Sequence, residues 1–105
     1  MKKIIILALT LSTACLWLST TNTAQAASGK DLFNQHCSAC HPNGGNIIEP
    51  HDTLLKSARV ANKVNSVEAI VGKMRNPGPG MSKFDANFLP DADAKAIAEY
   101  ILKTF

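Results

Sequence analysis

Cys37-Ser38-Ala39-Cys40-His41 is the stretch that decides how this chain of 105 residues folds. Cys37 and Cys40 are three positions apart, so in a helical turn both thiols lie on the same side. His41 follows at once and brings an imidazole beside them. The stretch therefore predicts a single site at which two sulfur atoms and one ring nitrogen bind the same group.

The spacing C-x-x-C-H is the pattern for covalent attachment of a c-type haem. In that arrangement the thiols of Cys37 and Cys40 form thioethers with the two vinyl groups of one haem, and His41 binds the iron as its proximal ligand. We therefore predict one haem c, attached through both cysteines. The motif identifies the cofactor, whereas the reaction depends on the second axial ligand.

Two other kinds of site share the C-x-x-C spacing. A structural zinc site needs four ligands, and the chain beyond residue 26 contains no second cysteine pair. A thioredoxin-like redox pair belongs to an alternating pattern of strands and helices, and the chain has no run of β-branched residues with a period of two. Both alternatives are weaker explanations of the motif than haem attachment.

Residues 1–26 have the pattern of a secretory signal peptide. Lys2 and Lys3 form its basic start, residues 4–18 its apolar run and Ala24-Gln25-Ala26 its cleavage site. The apolar run is shorter than the roughly 20 residues that a membrane-spanning helix needs. We predict cleavage at the end of this segment and export to the periplasm, where c-type haem is attached.

Cys15 offers an alternative form of processing. Ser12-Thr13-Ala14-Cys15 loosely resembles a lipobox, whose cysteine is lipidated and becomes the first residue of the mature protein. A lipobox usually has leucine where Ser12 stands, and Leu16-Trp17-Leu18 follows where a polar spacer is usual. The alternative to a free periplasmic protein is therefore an outer-membrane lipoprotein anchored through Cys15, the one route by which we expect contact with a membrane.

Residues 27–105 are predicted to form one small domain. Lys2 and Lys3 leave with the signal peptide, and the domain then keeps nine basic residues against eight acidic ones. Because no basic stripe remains, we expect no nucleic-acid partner. At this size a hydrophobic core alone is marginal. We therefore expect the folding of the domain to depend on its haem. We also expect the domain to be a monomer.

Capping residues and apolar periodicity predict an all-α domain of about four helices wrapped around the haem. Ser28 is predicted to cap a helix over residues 29–39, and Asp52 or Thr53 is predicted to cap a second helix that runs to residue 60. Asn65 or Ser66 is predicted to cap a third helix that ends before Pro77, and the last helix is predicted to begin at Asp91. The last helix places its apolar residues on one face. These are Ala94, Ile97, Ala98, Ile101 and Leu102.

Two methionines of the predicted domain are candidates for the second axial ligand. Met74 completes the apolar face of the third helix, where methionine usually fills a core. Met81 follows Pro77-Gly78-Pro79-Gly80 in a loop, and we predict that it is the sixth ligand of the iron. A thioether opposite an imidazole raises the reduction potential of the haem. It also occupies the second axial position of the iron, so no open site remains for a substrate, which favours electron transfer over catalysis.

With these residues together, the predicted domain resembles a class I monohaem cytochrome c over nearly its whole length. The matching features are the haem motif, the Met81-x-x-Phe84 loop, Gly29 and Phe33 of the first helix, and Ile97 and Tyr100 of the last. The resemblance implies a class I cytochrome c fold whose terminal helices cross at Gly29. It further implies that Phe33 and Tyr100 fill the contact between these helices, and that this contact forms one wall of the haem pocket.

The family resemblance also implies roles for residues near the motif. In such proteins a proline carbonyl commonly accepts the ring N–H of the proximal histidine, and Pro50 is the candidate here. His36 is expected to be a partly exposed helix residue, and His51 a surface residue or a neighbour of the haem propionates.

Within the class, two segments resemble different relatives. Gly45-Asn46 ahead of Pro50-x-x-Thr53-Leu54 resembles cytochrome c6, the soluble photosynthetic carrier. Residues 76–81 look closer to small c6-like cytochromes of metal-reducing bacteria, some of which are outer-membrane lipoproteins. We therefore expect a periplasmic single-electron carrier, not an enzyme, whose partners are other redox proteins bound transiently. The alternative is a haem-based binder or sensor of small ligands in which Met81 is displaceable.

Overall fold

Four helices and the segments between them make up residues 26–105, the part of the chain that this computed structural model describes. They are α1 (Gly29–His36), α2 (Lys56–Ala61), α3 (Val67–Arg75) and α4 (Asp91–Thr104), with a 3₁₀ turn at Pro42–Gly44. No strand occurs in these residues, so the predicted all-α fold is confirmed. Residues 1–25, with Cys15 and nearly all of the predicted signal peptide, lie outside the described part. Within it, no helix is both long and apolar enough to cross a membrane.

Side-chain caps begin two of these helices as predicted. The hydroxyl of Ser28 accepts the N–H of Asp31 at 3.2 Å, and the hydroxyl of Ser66 accepts the N–H of Ala69 at 3.1 Å. Each bond satisfies a backbone donor that the first turn of a helix leaves without a partner. α4 begins at Asp91, also as predicted.

The end of α1 differs from the prediction, because the helix stops at His36 rather than near residue 39. The N–H groups of Cys37 and Ser38 both donate to the carbonyl of Phe33, at 2.8 and 3.0 Å. Sharing one acceptor ends the regular ladder of i to i−4 bonds. The hydroxyl of Ser38 also donates to the Asn34 carbonyl at 2.7 Å, which competes with continuation of the helix.

α2 begins at Lys56, later than predicted from Asp52 or Thr53. The Asp52 carboxylate accepts from the side chain of Asn62 at 3.0 Å, and the Thr53 hydroxyl accepts from the Leu55 N–H at 3.4 Å. Neither side chain caps α2, which has six residues and follows the extended residue Leu55.

α4 packs against both α1 and α3 and carries four of the nine buried apolar side chains of the described residues. A Cβ atom at Gly29 would overlap the carbonyl of Ala96 and lie 3.1 Å from the Cβ of Tyr100. The rings of Phe33 and Tyr100 meet beside this contact with their centroids 5.3 Å apart. The predicted crossing of the terminal helices at Gly29 is confirmed. The buried apolar side chains of the described part are Leu32, Phe33, Ile70, Met74, Leu89, Ala94, Ile97, Ala98 and Ile101.

Candidate functional site

The haem motif forms one irregular turn directly after α1. The N–H groups of Cys40 and His41 both donate to the carbonyl of Cys37, at 3.2 and 2.9 Å. This turn places the side chains of all three residues on the lining of one cavity. Cys37 is half-buried, and burial raises the pKa of its thiol to about 11, whereas Cys40 is exposed.

The ring of His41 is oriented by a backbone carbonyl. Its Nδ1 lies 2.8 Å from the carbonyl oxygen of Gly45. A carbonyl oxygen can only accept, so Nδ1 carries the proton and Nε2 of the neutral ring keeps its lone pair. Such a contact fixes the tautomer and the orientation of a metal-binding histidine. His41 is therefore prepared to bind a metal through Nε2.

The acceptor of this hydrogen bond differs from the prediction, which assigned it to Pro50. The 3₁₀ turn at Pro42–Gly44 closes through a bond of 2.9 Å from the Gly45 N–H to the Pro42 carbonyl. This tight turn brings the Gly45 carbonyl back to His41, four residues earlier in the chain. Local turn geometry thus supplies the acceptor before the chain reaches Pro50.

The cavity beside the motif has a volume of about 520 Å³. That size lies within the range of small-molecule and cofactor sites. Its apolar lining comes from several parts of the chain and includes Ile48, Leu54, Val64, Ile70 and Phe84. All four predicted site residues, Cys37, Cys40, His41 and Met81, line this one cavity.

The two methionines lie in different environments. Met74 is 4% exposed within the core, so its predicted role as core filler is confirmed. Met81 is 36% exposed and lines the cavity. The structure thus places only Met81 where its sulfur can reach a group in the cavity, and its role as axial ligand stays a prediction.

The loop that carries Met81 is anchored at its end. The Phe84 N–H donates to the Met74 carbonyl at 2.9 Å, and Arg75 donates to the Phe84 carbonyl at 2.9 Å. Arg75 also bonds the carboxylate of Asp91 at 2.6 Å, which joins α3 to the start of α4. These contacts fix the end of the loop against α3 and the start of α4.

Asn46 shapes another part of the cavity rim, a structural role that sequence analysis did not identify. Its side-chain oxygen accepts the N–H groups of Ile48 and Glu49, each at 2.9 Å, and its amide donates to the Asp52 carbonyl at 3.0 Å. The signal was an asparagine directly after two glycines, the composition of a turn closed by its own side chain. Asn46 holds Ile48 on the cavity lining.

Phe33 and Tyr100 fill the contact between α1 and α4, as the resemblance implies, but neither residue lines the cavity. Phe33 packs between Tyr100 and Phe105, at centroid distances of 5.3 and 5.4 Å, and is 2% exposed. It therefore faces α4 and the C-terminal residue, behind the motif. Phe84 is the aromatic side chain that lines the cavity.

The remaining histidines occupy different positions. His36 is half-buried and lines the cavity, with its ring edge-on to Phe84 and Phe88 at 6.4 and 5.5 Å. His51 is exposed and is not among the lining residues. The expected partly exposed position of His36 is confirmed, and so is a surface position for His51.

The donor set around the cavity fits a covalently attached haem. It combines two free thiols, a thioether and an imidazole whose Nε2 is available, around an apolar interior. Within residues 26–105, no three side chains of His, Cys, Asp or Glu are gathered as a metal-binding cluster. Zinc, which needs four such ligands, is therefore a poor fit to these residues.

Known proteins resemble this chain over most of its length. A family model described as cytochrome c oxidase, cbb3-type, subunit III matches residues 24–101. Cytochrome c6 of Gracilaria tenuistipitata var. liui is 40% identical over 78% of this chain and 75% of its own, and that of Cyanidioschyzon merolae is 42% identical over 75% and 74%. The solved structure of OmcF, outer-membrane cytochrome F of Geobacter sulfurreducens, is 44% identical with a TM-score of 0.73 and covers 74% of this chain and 99% of that one.

Proposed function

This chain belongs to the class I cytochromes c as a small cytochrome c6-like electron carrier, and on that premise we propose that it is a periplasmic carrier of single electrons with one haem c. The haem is attached through Cys37 and Cys40, and His41 and Met81 are its axial ligands. The protein carries electrons between redox partners that it binds transiently. It is not an enzyme.

The observation that carries this proposal is the convergence of the site residues. Two thiols, an imidazole and a thioether line one apolar cavity although Met81 is 40 residues from His41 in the chain. The bond from His41 to the Gly45 carbonyl leaves Nε2 free to donate to iron. Such a convergence has no explanation in core packing alone, because Met81 is exposed rather than buried.

The chain's own residues hold the site in one arrangement. His41 is oriented by Gly45, and the Met81 loop is tied to α3 through Phe84. The haem supplies an iron that cycles between two oxidation states, and a ligand set that suits both states limits rearrangement on electron exchange. The contacts that hold His41 and Met81 in place also limit rearrangement on electron exchange.

The visible and near-red spectrum of the purified oxidised protein tests the ligand assignment. We expect the weak charge-transfer band of sulfur-to-iron ligation, and we expect Met81→Ala to remove it. Met74→Leu is the matched control, because it removes the other thioether from the core and should keep the band. A high-spin wild-type spectrum, or a band that survives in Met81→Ala, would contradict the assignment.

A haem-based binder of small ligands is the second candidate function. It is favoured by the exposure of Met81 and by Gly78, where a Cβ atom would meet nothing within 4 Å. Such a protein would bind carbon monoxide in its ferrous form at neutral pH. Resistance to carbon monoxide supports the carrier, since the anchored loop would then keep Met81 on the iron.

Processing of the chain is part of the proposal. We infer a signal peptide over residues 1–26 and a cytochrome domain over residues 27–105, with lipidation at Cys15 as the alternative. The relative OmcF is an outer-membrane cytochrome, which supports lipidation at Cys15 as the alternative. Intact masses of the periplasmic and membrane fractions distinguish the two. A free protein that begins at Ala27 and carries the mass of one haem supports the proposal, and a lipid on Cys15 would replace the periplasmic assignment.

A further inference from the structure

Arg59 is a buried charge that the proposed site does not use. It lies in α2, is 4% exposed and lines the cavity. Its Nε donates to the side-chain oxygen of Asn65 at 3.3 Å, and one terminal nitrogen, Nη1, donates to the carbonyl of Leu54. Both acceptors are neutral, so neither balances the charge of the guanidinium.

No carboxylate pairs with Arg59 within the described residues. The ion pairs there are Arg75 with Asp91 and Lys95 with Glu99. The acidic residues on the cavity lining are both exposed, and the Asp52 carboxylate accepts from Asn62 instead. The other charged or titratable side chains on the lining are Glu49, Asp52, Lys73, His36, His41 and the two cysteines.

The second terminal nitrogen of Arg59, Nη2, has no hydrogen-bond partner in this part of the chain. No buried side-chain nitrogen or oxygen of the described residues is unsatisfied, so Nη2 keeps accessible surface. Arg59 is otherwise buried, and the cavity is the space that it lines. A group that enters the cavity would therefore border Arg59, whose Nη2 has no partner among the described residues.

Burial without a counter-charge is costly for an ionised side chain. Arginine cannot shed its proton to escape that cost, since its guanidinium stays charged in proteins. A carboxylate is the partner that fits its planar set of donors. Residues 26–105 supply no such carboxylate, which leaves a ligand of the cavity as its source.

We propose that Arg59 binds one carboxylate of the cofactor, a haem propionate, and holds it ionised. The inference rests on the proposed function, because only a haem bound in this cavity brings a carboxylate to Arg59. In this role Arg59 is a binding residue for the cofactor, and Asn65 positions its guanidinium. A purely structural role, as a tie between Leu54 and Asn65, would leave both propionates unaffected by its replacement.

The test follows the propionate carboxyls directly. Cells that are fed 5-aminolaevulinate with ¹³C at its carboxyl carbon place the label in the two propionate carboxyls of haem. The diamagnetic ferrous protein then shows two labelled signals, whose shifts are followed against pH by NMR. An opposite charge lowers the pKa of a carboxyl by about 1–3 units, so we expect the two signals to titrate apart by at least about one unit.

Variants assign the lower titration to Arg59. In Arg59→Gln the lower of the two titrations should rise by about 1–3 units. Lys73→Gln is the matched control, since it removes the same charge from an exposed side chain on the same lining, and it should move neither titration by a comparable amount. Arg59→Lys, which keeps the charge without the fork of donors, should give an intermediate shift and replaces Arg59→Gln if that variant fails to accumulate.

Each outcome separates the inference from the function on which it rests. Two labelled carboxyls that titrate together in the wild type, or equal shifts in Arg59→Gln and Lys73→Gln, would overturn the role of Arg59 alone. That result leaves haem attachment and the charge-transfer band intact. A wild-type protein without covalent haem shows no labelled carboxyls and would overturn the proposed function together with the inference.

Discussion

Gly29 and Gly72 are both helical glycines, and their surroundings predict opposite effects of a single methyl group. A Cβ atom at Gly29 would overlap the backbone carbonyl of Ala96, whereas one at Gly72 would meet nothing within 4 Å. Gly29→Ala should therefore force α1 and α4 apart and destabilise the protein by about 1–3 kcal/mol. Gly72→Ala should stabilise it by about 0.5–1 kcal/mol, because alanine is the better helix former.

Denaturant unfolding of the two haem-loaded variants checks this pair. The difference between them isolates the helix contact, since both make the same chemical change. Equal stabilities for Gly29→Ala and the wild type would show that the two helices do not rely on the close approach at this residue.

The roles of individual residues were predictable where haem attachment requires a fixed spacing in the sequence. Cys37, Cys40 and His41 are adjacent in the chain, so one turn was enough to bring them to the cavity. Pro50 was wrong as the acceptor for His41, because the Gly45 carbonyl is delivered by a turn whose geometry the sequence does not display. Arg59 was missed, because its burial depends on the distant segments that close the cavity around α2.

At the level of elements, two glycines of the loop that carries Met81 differ in backbone conformation and in the space around them. Gly80 has φ +87°, and a Cβ atom there would lie 2.8 Å from Cγ2 of Ile48. Gly78 has open space around it. Gly80→Ala should strain the backbone by about 1 kcal/mol or more and displace the loop, which weakens Met81 ligation. Gly78→Ala is the matched control and should leave ligation unchanged.

The charge-transfer band and carbon monoxide binding report on these two variants. We expect Gly80→Ala to weaken the band and to bind carbon monoxide faster than the wild type. If Gly78→Ala and Gly80→Ala behave alike, the contact between the Met81 loop and Ile48 does not hold the ligand in place.

Arg75 provides a second hold on the same loop, from α3. Its hydrogen bond to the Phe84 carbonyl contributes on the order of 1 kcal/mol, while its bond to the exposed carboxylate of Asp91 adds little. In Arg75→Gln the charge-transfer band should disappear at a lower guanidinium concentration than in the wild type. Lys95→Gln is the control, because it breaks an exposed pair 3.9 Å apart and should change the midpoint little. Coincident loss of the band in Arg75→Gln and the wild type would contradict this anchoring role.

Elements with strong local signals were predicted well, and those without were not. α3 and α4 have a capping serine or an acidic start and a continuous apolar face, so their positions followed from the sequence. α2 has neither a side-chain cap nor a clear apolar face. It follows Leu55, whose backbone is extended and whose side chain cannot cap a helix, so the start at Lys56 leaves no signal in the sequence.

At the scale of the whole molecule, the cavity is large for the core that surrounds it. The described residues bury nine apolar side chains, of which only Leu89 and Ile97 are large and fully buried. The cavity of about 520 Å³ has exposed residues on its rim, so without a ligand water enters it and its apolar lining loses the burial that the haem would provide.

The protein without haem should therefore be largely unfolded. Cys37→Ser with Cys40→Ser removes both attachment points while leaving the size and polarity of the two side chains nearly unchanged. We expect this double variant to lose most of its far-ultraviolet helical signal and its cooperative thermal transition. Cys15→Ser is the matched control, since it alters the one cysteine outside the predicted domain and should leave the helical signal of the haem-loaded protein as it is. A double variant that is fully helical and melts cooperatively would show that the core around α4 is sufficient for folding. The haem would then contribute to function but would not be needed for the fold.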